Sequence, residues 1–383
     1  MSPGPSDSDA LSSGLTPLGN PPAFDGGPQQ VSPGTWAWIQ PNGELGESNA
    51  GLVVGDGASL LIDTLWDERL TRRMLEALVP ARAGAPITTL FNTHGDGDHW
   101  YGNALLGEAE IVATVLAAAQ MEEEPPAMLS RMGPLPTVAG ALTSVPLLPG
   151  KPRLRGISGF AQMLSNYDFA GLEPRLPTRT FTGADTIEAG GRTIELIEVG
   201  PAHTPGDAIA WLADARVCFS GDIVFSGVTP IMWTGPASNW IRALEMIAAL
   251  EPAAIVPGHG PVCDLERIRD LIGYWTYLIR SVPQGAGDAI VELTEELVLG
   301  VEYRTSPWGE WAAPERTLIN VAMISRERDG IDEPISVPAR IGLLSKMGAL
   351  RERLAPRLAA VAIPFLQGLG RRLRLAALVP ARR

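Results

Sequence analysis

Cysteine is nearly absent: Cys218 and Cys263 are the only two in 383 residues. With no CxxC spacing they form neither a disulfide scaffold nor a thiolate zinc or redox centre. Positive charge is scarce as well. The 30 Lys and Arg stand against 43 Asp and Glu, a net of −13, which argues against a surface built to grip phosphate backbones. No uninterrupted apolar run reaches the ~18–20 residues of a membrane span. The opening MSPGPSDSDALSSG has neither the basic region nor the apolar region of a secretory signal. The expectation is a soluble, cytoplasmic protein. Hydrophobic residues make up 45%, enough for a sizeable core and too many for global disorder.

Residues 1–35 hold seven Pro, six Gly and six Ser and read as a flexible leader. Order is expected from the alternating run Thr35-Trp36-Ala37-Trp38-Ile39. Ala50–Asp63 reads as two apolar strands joined at Gly55-Asp56-Gly57, and Asp67–Leu78 as a helix with Leu70, Met74 and Leu78 on one face. Ile87–Phe91 is a short strand running straight into the Asn92–His99 loop, and Glu108–Thr114 repeats the strand pattern. From 122 to 177 the chain turns irregular and reads as an insertion of loops and short helices, with a basic stretch at Lys151–Arg155. Strands resume at Thr186–Glu188, Arg192–Val199, Ile209–Leu212 and Val217–Phe219. Ser238–Leu250 reads as a helix capped by Ser238. A brief strand at Ala253–Val256 precedes Pro257-Gly258-His259-Gly260, and Asp264–Ile279 is a further helix. Strands and helices therefore mix in two similar halves within 36–285, and a mostly helical extension, 286–383, follows.

Only four histidines are present, His94, His99, His203 and His259, each in a Gly- or Pro-rich loop beside an expected strand end. The densest stretch, His94-Gly95-Asp96-Gly97-Asp98-His99, packs two imidazoles and two carboxylates into six residues. Glycines between them let the backbone curl until alternate side chains converge. So many donors are costly to crowd together unless a cation sits among them. His203 in GPAHTPGD, Asp222 in FSGDIVF and His259 in VPGHGP also stand where strands end, the usual place for site residues on a sheet scaffold. A pair of divalent metal ions is the natural answer.

These separated motifs, in this order, resemble those of the metallo-β-lactamase superfamily, whose signature is a His-x-His-x-Asp-His loop followed by separate His, Asp and His residues. The resemblance covers residues 36–280 and implies an α/β fold, a four-layer αββα sandwich, here with a mostly helical C-terminal extension. It implies His94, Asp96 and His203 at one metal, Asp98, His99 and His259 at the other, and Asp222 and a water bridging them. Asp63 matches the family's early aspartate, which supports the metal loop without being a ligand. One position departs from the signature: Asp96 stands where the family carries its second loop histidine. Two divalent ions (+4), three carboxylates (−3) and a bridging hydroxide (−1) then sum to zero, where two carboxylates would leave +1. The bound water becomes less acidic and harder metals gain ground. Zinc is the first expectation, with iron or manganese open.

The resemblance implies metal-assisted hydrolysis of a small ester, thioester, lactone or amide. Two ions about 3.5–4 Å apart would make a bridging hydroxide and meet the developing oxyanion, and Asp98 would orient the nucleophile and shuttle a proton. No Gly-x-Ser-x-Gly elbow offers a serine route. The alternative is a di-iron oxygenase or oxidoreductase of the same fold, which the third carboxylate favours. Expected partners are a small-molecule substrate and no nucleic acid. Trp100, Tyr101, Trp233, Trp240, Trp308 and Trp311 are candidates for an apolar substrate pocket, with core packing at least as good an account of each. Cys263 and Cys218 read as packing residues. Ala339–Arg383 carries ten Lys and Arg and one Glu, +9 against −22 for the rest. Its apolar residues fall at helical spacing, with breaks expected at Pro356, Pro364, Gly368 and Gly370. Docking on the acidic body or on a sister subunit, as in a homo-oligomer, is favoured over an anionic membrane.

Overall fold

Strands that are apolar on both faces decide the layers. In the computed structural model, which describes residues 22–127, 164 and 166–376, with side chains to 359, two sheets face each other. The first runs in spatial order β1 (Gly27–Ser32), β2 (Thr35–Ile39), β3 (Ala50–Val54), β4 (Ser59–Ile62), β5 (Ile87–Phe91), β6 (Glu110–Thr114) and β7 (Arg179–Phe181). The second orders β12 (Ala254–Val256), β11 (Val217–Phe219), β10 (Ala208–Leu212), β9 (Arg192–Glu198) and β8 (Ala184–Ala189). Leu60 and Ile62 of β4 and Ala208, Ala210 and Leu212 of β10 meet between the sheets. The residues between them turn outward: Leu61 packs under the helices α1 (Glu68–Ala77) and α2 (Val115–Glu123), and Ile209 and Trp211 pack under α3 (Ala237–Ala249) and α4 (Leu265–Ser281). Each fully buried side chain of this kind contributes about 1.5–3 kcal/mol. The result is αββα. The sheets approach so closely at Gly51 that a Cβ there would lie 2.2 Å from the Phe219 ring.

Strand direction gathers the loops that matter. β4, β5 and β6 are parallel, so Asp63 and the Asn92–His99 loop leave the first sheet on one edge. In the second sheet β11 and β12 are parallel, and β9 points the same way because β10 is antiparallel to both neighbours. The loops bearing His203, Asp222 and His259 therefore leave one edge together.

Several expectations need correction. β1 lies inside the stretch read as a leader; Pro28 is its second residue, and as an edge strand it gives up little by lacking one N–H. Helix α3 begins one residue before Ser238 and has no side-chain cap, whereas Asp67 and Asp264 do cap α1 and α4. Residues 128–163 of the irregular insertion, with Lys151–Arg155, lie outside the described residues.

The C-terminal region is helical, with α5 (Ile290–Leu299), α6 (Thr317–Arg328) and α7 (Val337–Ala376). Its Val298, Leu318 and Leu350 share one apolar cluster with Ile209 and Trp211 of the second sheet. α7 runs unbroken through Pro356, where a break was expected. Proline inside a helix costs about 3 kcal/mol, but Leu350 and Leu354 are buried before it. Arg353 and Arg357, on either side, both pair with Glu295 of α5 and hold the helix line against the body. Pro364, Gly368 and Gly370 also fall within the continuous helix. Among the described residues no helix is long and apolar enough to cross a membrane.

Candidate metal centre

Asp63 anchors the densest loop. It follows β4 at φ 60°, a left-handed conformation that a short acidic side chain tolerates. Its Oδ1 accepts the Thr93 backbone N–H (2.7 Å), while Oδ2 accepts the Thr93 hydroxyl (2.7 Å) and faces His99 Nδ1 (2.9 Å). The Thr93 hydroxyl has spent its proton on Asp63, so at 2.9 Å it accepts from His94 Nδ1. Both loop histidines thus carry their proton on Nδ1 and present Nε2 to the interior. His203 does the same, its Nδ1 donating to the Ile231 carbonyl at 2.6 Å. Trp100 closes the loop by donating from Nε1 to the Gly95 carbonyl (3.0 Å).

The Nε2 atoms converge on carboxylates. Asp222 Oδ1 lies 3.2 Å from His99 Nε2, and its Oδ2 lies 3.3 Å from His203 and 3.5 Å from His259. Asp96 Oδ2 stands 3.0 Å from His203 Nε2, and Asp98 Oδ2 3.4 Å from His259 Nε2. Donor atoms of His94, His203 and Asp222 fall within 4.8 Å of one another, as do those of Asp98, His99 and His259. All seven residues expected at the centre are thus brought together. Asp96 stands beside the first group, its other oxygen accepting from Gln120 Nε2 at 2.8 Å.

A test of fit lies in the unsatisfied atoms. His94, His99 and His203 Nε2 and one Asp222 oxygen are buried without an aligned hydrogen bond, although carboxylates stand at ion-pair distance from two of these imidazoles. Orphaned buried polar groups are costly, and lone pairs aimed at a common point suit a divalent cation in each group. The electrostatics agree. Burial would lower His203, but Asp222 and Asp96 outweigh it and hold the imidazole up at about 10. His99 and His259 are likewise raised, burial notwithstanding, by Asp222 and Asp98. His94 is pushed down to about 3 by burial and by neighbouring His99. Against their own burial, Asp222, Asp98 and Asp96 are held below the usual carboxylate range by the imidazoles. Three buried carboxylates call for positive charge at their centre, which protons or cations supply.

Further residues, not singled out in the sequence, support the donors. Asp207 accepts from the N–H of Ala202 (3.1 Å) and of Thr204 (3.0 Å) and from the Thr204 hydroxyl (2.6 Å), which folds the loop around His203. Asn49 donates to the carbonyls of Pro257 (2.9 Å) and Gly260 (2.8 Å), clasping the His259 loop. Asn320 of α6 accepts from Met232 N–H (2.8 Å) and donates to Pro230 O (2.9 Å), so the extension fixes the segment that orients His203. Gly258 leaves space for Asp222: a Cβ there would lie 1.8 Å from Asp222 Oδ1.

The sequence profile of the metallo-beta-lactamase superfamily matches residues 43–259, which hold every donor described above. The chain belongs to that superfamily. Among curated superfamily-like sequences it is similar to a beta-lactamase-like protein 2 homolog of Caenorhabditis elegans, 28% identical over 151 residues, 38% of this chain and 49% of that one. It is also similar to the 2,4-dinitroanisole O-demethylase subunit alpha of Nocardioides sp. strain JS1661, 23% identical over 214 residues, 54% of this chain and 51% of that one. The chain spans about half the length of both curated relatives. A solved metallo-beta-lactamase from Pontibacter korlensis aligns with a TM-score of 0.48 and 17% identity over 65% of this chain and 98% of that one.

Above the metallo-beta-lactamase loop lies a cavity of about 150 Å³, with Asp96 and Asp98 in its floor and Trp66, Tyr101, Trp233 and Leu344 in its walls. Of the aromatic candidates, Tyr101 and Trp233 line it. Trp100, Trp240, Trp308 and Trp311 are packed in the interior. Trp66 was not foreseen, since nothing in its sequence neighbourhood marks it. Replacing Asp63 by asparagine leaves a single acceptor for three donors and puts an N–H₂ beside them. Metal affinity is expected to fall about 10–100-fold, as for other outer-shell partners, and chelator competition will measure it.

Proposed function

We propose that the chain is a binuclear metallohydrolase that cleaves a small ester, thioester, lactone or amide. One observation carries this reading: two groups of buried nitrogen and oxygen donors share Asp222 at their junction and open on a small, mostly apolar cavity. His94, Asp96 and His203 would hold one ion, Asp98, His99 and His259 the other, with Asp222 reaching both. Bound there, divalent ions supply a water of lowered pKa and positive charge for the oxyanion. The chain's own groups do the rest. Asp98, in the cavity floor, orients the attacking water and carries its proton toward the leaving group. Trp66, Tyr101 and Trp233 hold the acyl part and exclude bulk water. Zinc is our first assignment.

A second reading, a di-iron oxygenase or oxidoreductase, is favoured by one distance. Asp96 Oδ2, 3.0 Å from His203 Nε2, brings a third carboxylate to the donor set, and harder ligands suit iron or manganese. Elemental analysis of protein purified without added metal, joined to a panel of esters, lactones, thioesters, amides and an aryl methyl ether, decides between them. The ether belongs there because one relative is named as an O-demethylase subunit. Two zinc ions per chain with oxygen-independent ester turnover is the expected result. Two iron ions with a visible absorption band and oxygen consumption would overturn it.

A further inference from the structure

Helix α7 lies over the cavity, and one of its side chains is a cation. Arg340, 18% exposed, lines the 150 Å³ cavity above Asp96 and Asp98 and also a second, outer cavity of about 530 Å³, and Trp233 is shared by both in the same way. The guanidinium stacks over the Trp233 ring at 5.5 Å. Its Nη1 donates to both oxygens of Glu124, at 2.9 and 3.2 Å. Its Nε is buried and unpartnered. With Nε closed off and Nη1 spent on Glu124, Nη2 is the nitrogen left to meet a ligand. A guanidinium N–H₂ group makes a strong charge-assisted bond to a carboxylate oxygen. Among the described lining residues of the inner cavity Arg340 is the only basic one, set among Asp96, Asp98 and Glu124.

We propose that Arg340 binds a carboxylate of the substrate, so that the compounds cleaved at the metal centre are apolar esters or lactones bearing one carboxylate. The inference rests on the hydrolase reading and narrows its substrate class. Nη2 makes the charge-assisted contact with the anion, the Trp233 stack holds the guanidinium plane, and the apolar walls take the hydrocarbon between the carboxylate and the reacting carbonyl. A monoanion suits the partition. A dianion would meet Glu124, Asp96 and Asp98 with one cation to offset them. Arg340 lies outside residues 43–259, so this selectivity belongs to the extension.

The test uses the full-length, metal-loaded chain and two matched esters, 4-nitrophenyl butyrate and mono-4-nitrophenyl glutarate. The glutarate ester is expected to show the lower KM, by about 10–100-fold. Arg340→Gln should raise that KM by the same factor with kcat unchanged and leave the butyrate ester untouched. Arg340→Lys, which keeps the charge but not the planar guanidinium stacked on Trp233, should fall between. Glu124→Gln should preserve or sharpen the preference. If Arg340 merely pins α7, then Arg340→Gln and Glu124→Gln will impair both esters alike, and the proposal is overturned. If the wild-type chain cleaves neither ester, the ester branch of the hydrolase reading falls. Calorimetric titration with hexanoate and hexanamide then tests Arg340 by itself. Selective binding of hexanoate that is lost in Arg340→Gln upholds it, and equal affinity, or binding of neither, overturns it.

Discussion

Asp222→Ala is expected to leave the protein folded, empty of both metals and at least about a thousandfold less active. The reasoning starts from distance. Asp222 is the one side chain with an oxygen near His99 and another near both His203 and His259, so its loss removes a donor from each group at once. It also removes the charge that most strongly raises the imidazoles around it. His203 then loses much of its incentive to carry a positive partner. Several kcal/mol of transition-state stabilisation disappear with the ions, and each 1.36 kcal/mol is tenfold in rate, which gives about a thousandfold. Metal content by elemental analysis and turnover on the best ester of the panel are the two readouts. His94→Ala, which deletes an unpaired buried nitrogen from one group only, should lose the metal of its own group first. Full activity in either variant would end the metal mechanism.

Gly258→Ala is expected to be nearly as severe, although it adds one methyl group to a residue with no chemistry. The new carbon would stand 1.8 Å from Asp222 Oδ1, 2.7 Å from the Gly221 carbonyl carbon and 2.9 Å from Asp222 N. The Gly258 backbone has little room to retreat. Its N–H donates to Gly221 O and Val224 O at 2.8 and 3.1 Å, and its carbonyl accepts from Asn49 N–H at 2.7 Å. The carboxylate must turn away from the imidazoles, and overpacking of this kind costs about 1–3 kcal/mol besides. Thermal unfolding and metal stoichiometry should both fall. Gly342→Ala is the control: a Cβ there meets nothing within 4 Å, so that variant should keep both metals.

The cluster was legible in the chain because its members share a local signature: a histidine or aspartate in a Gly- or Pro-rich loop at the end of an apolar strand. The strands were legible for the same kind of reason, since a short apolar run such as Ser59–Ile62 or Ala208–Leu212 is a property of four or five adjacent residues. What lay hidden was whatever depends on a partner distant in sequence. Asn320 and Asn49 look like ordinary polar residues until the fold sets them against Pro230 and Pro257, 90 and 208 positions away. Gly258 reads as a turn residue and proves to be a clearance. β1 was obscured by proline and glycine composition, which reports on backbone freedom and not on the strand waiting to pair at Thr35–Ile39. Pro356 signalled a helix break that Glu295, supplied by another helix, overrides. Asp207 did have a signal, an acidic residue four positions after His203 in a Pro-Gly turn, of the kind that ties a loop to its own backbone.

Helix α2 carries Gln120, and Glu124 caps its C-terminus one turn on. The first grips Asp96 beside His203, and the second grips Arg340 on the C-terminal helix. Roof and floor of the chamber are therefore riveted to the same short rod. Arg340 and Asp96, one from the extension and one from the donor loop, are thus tied down within a single helical turn of each other.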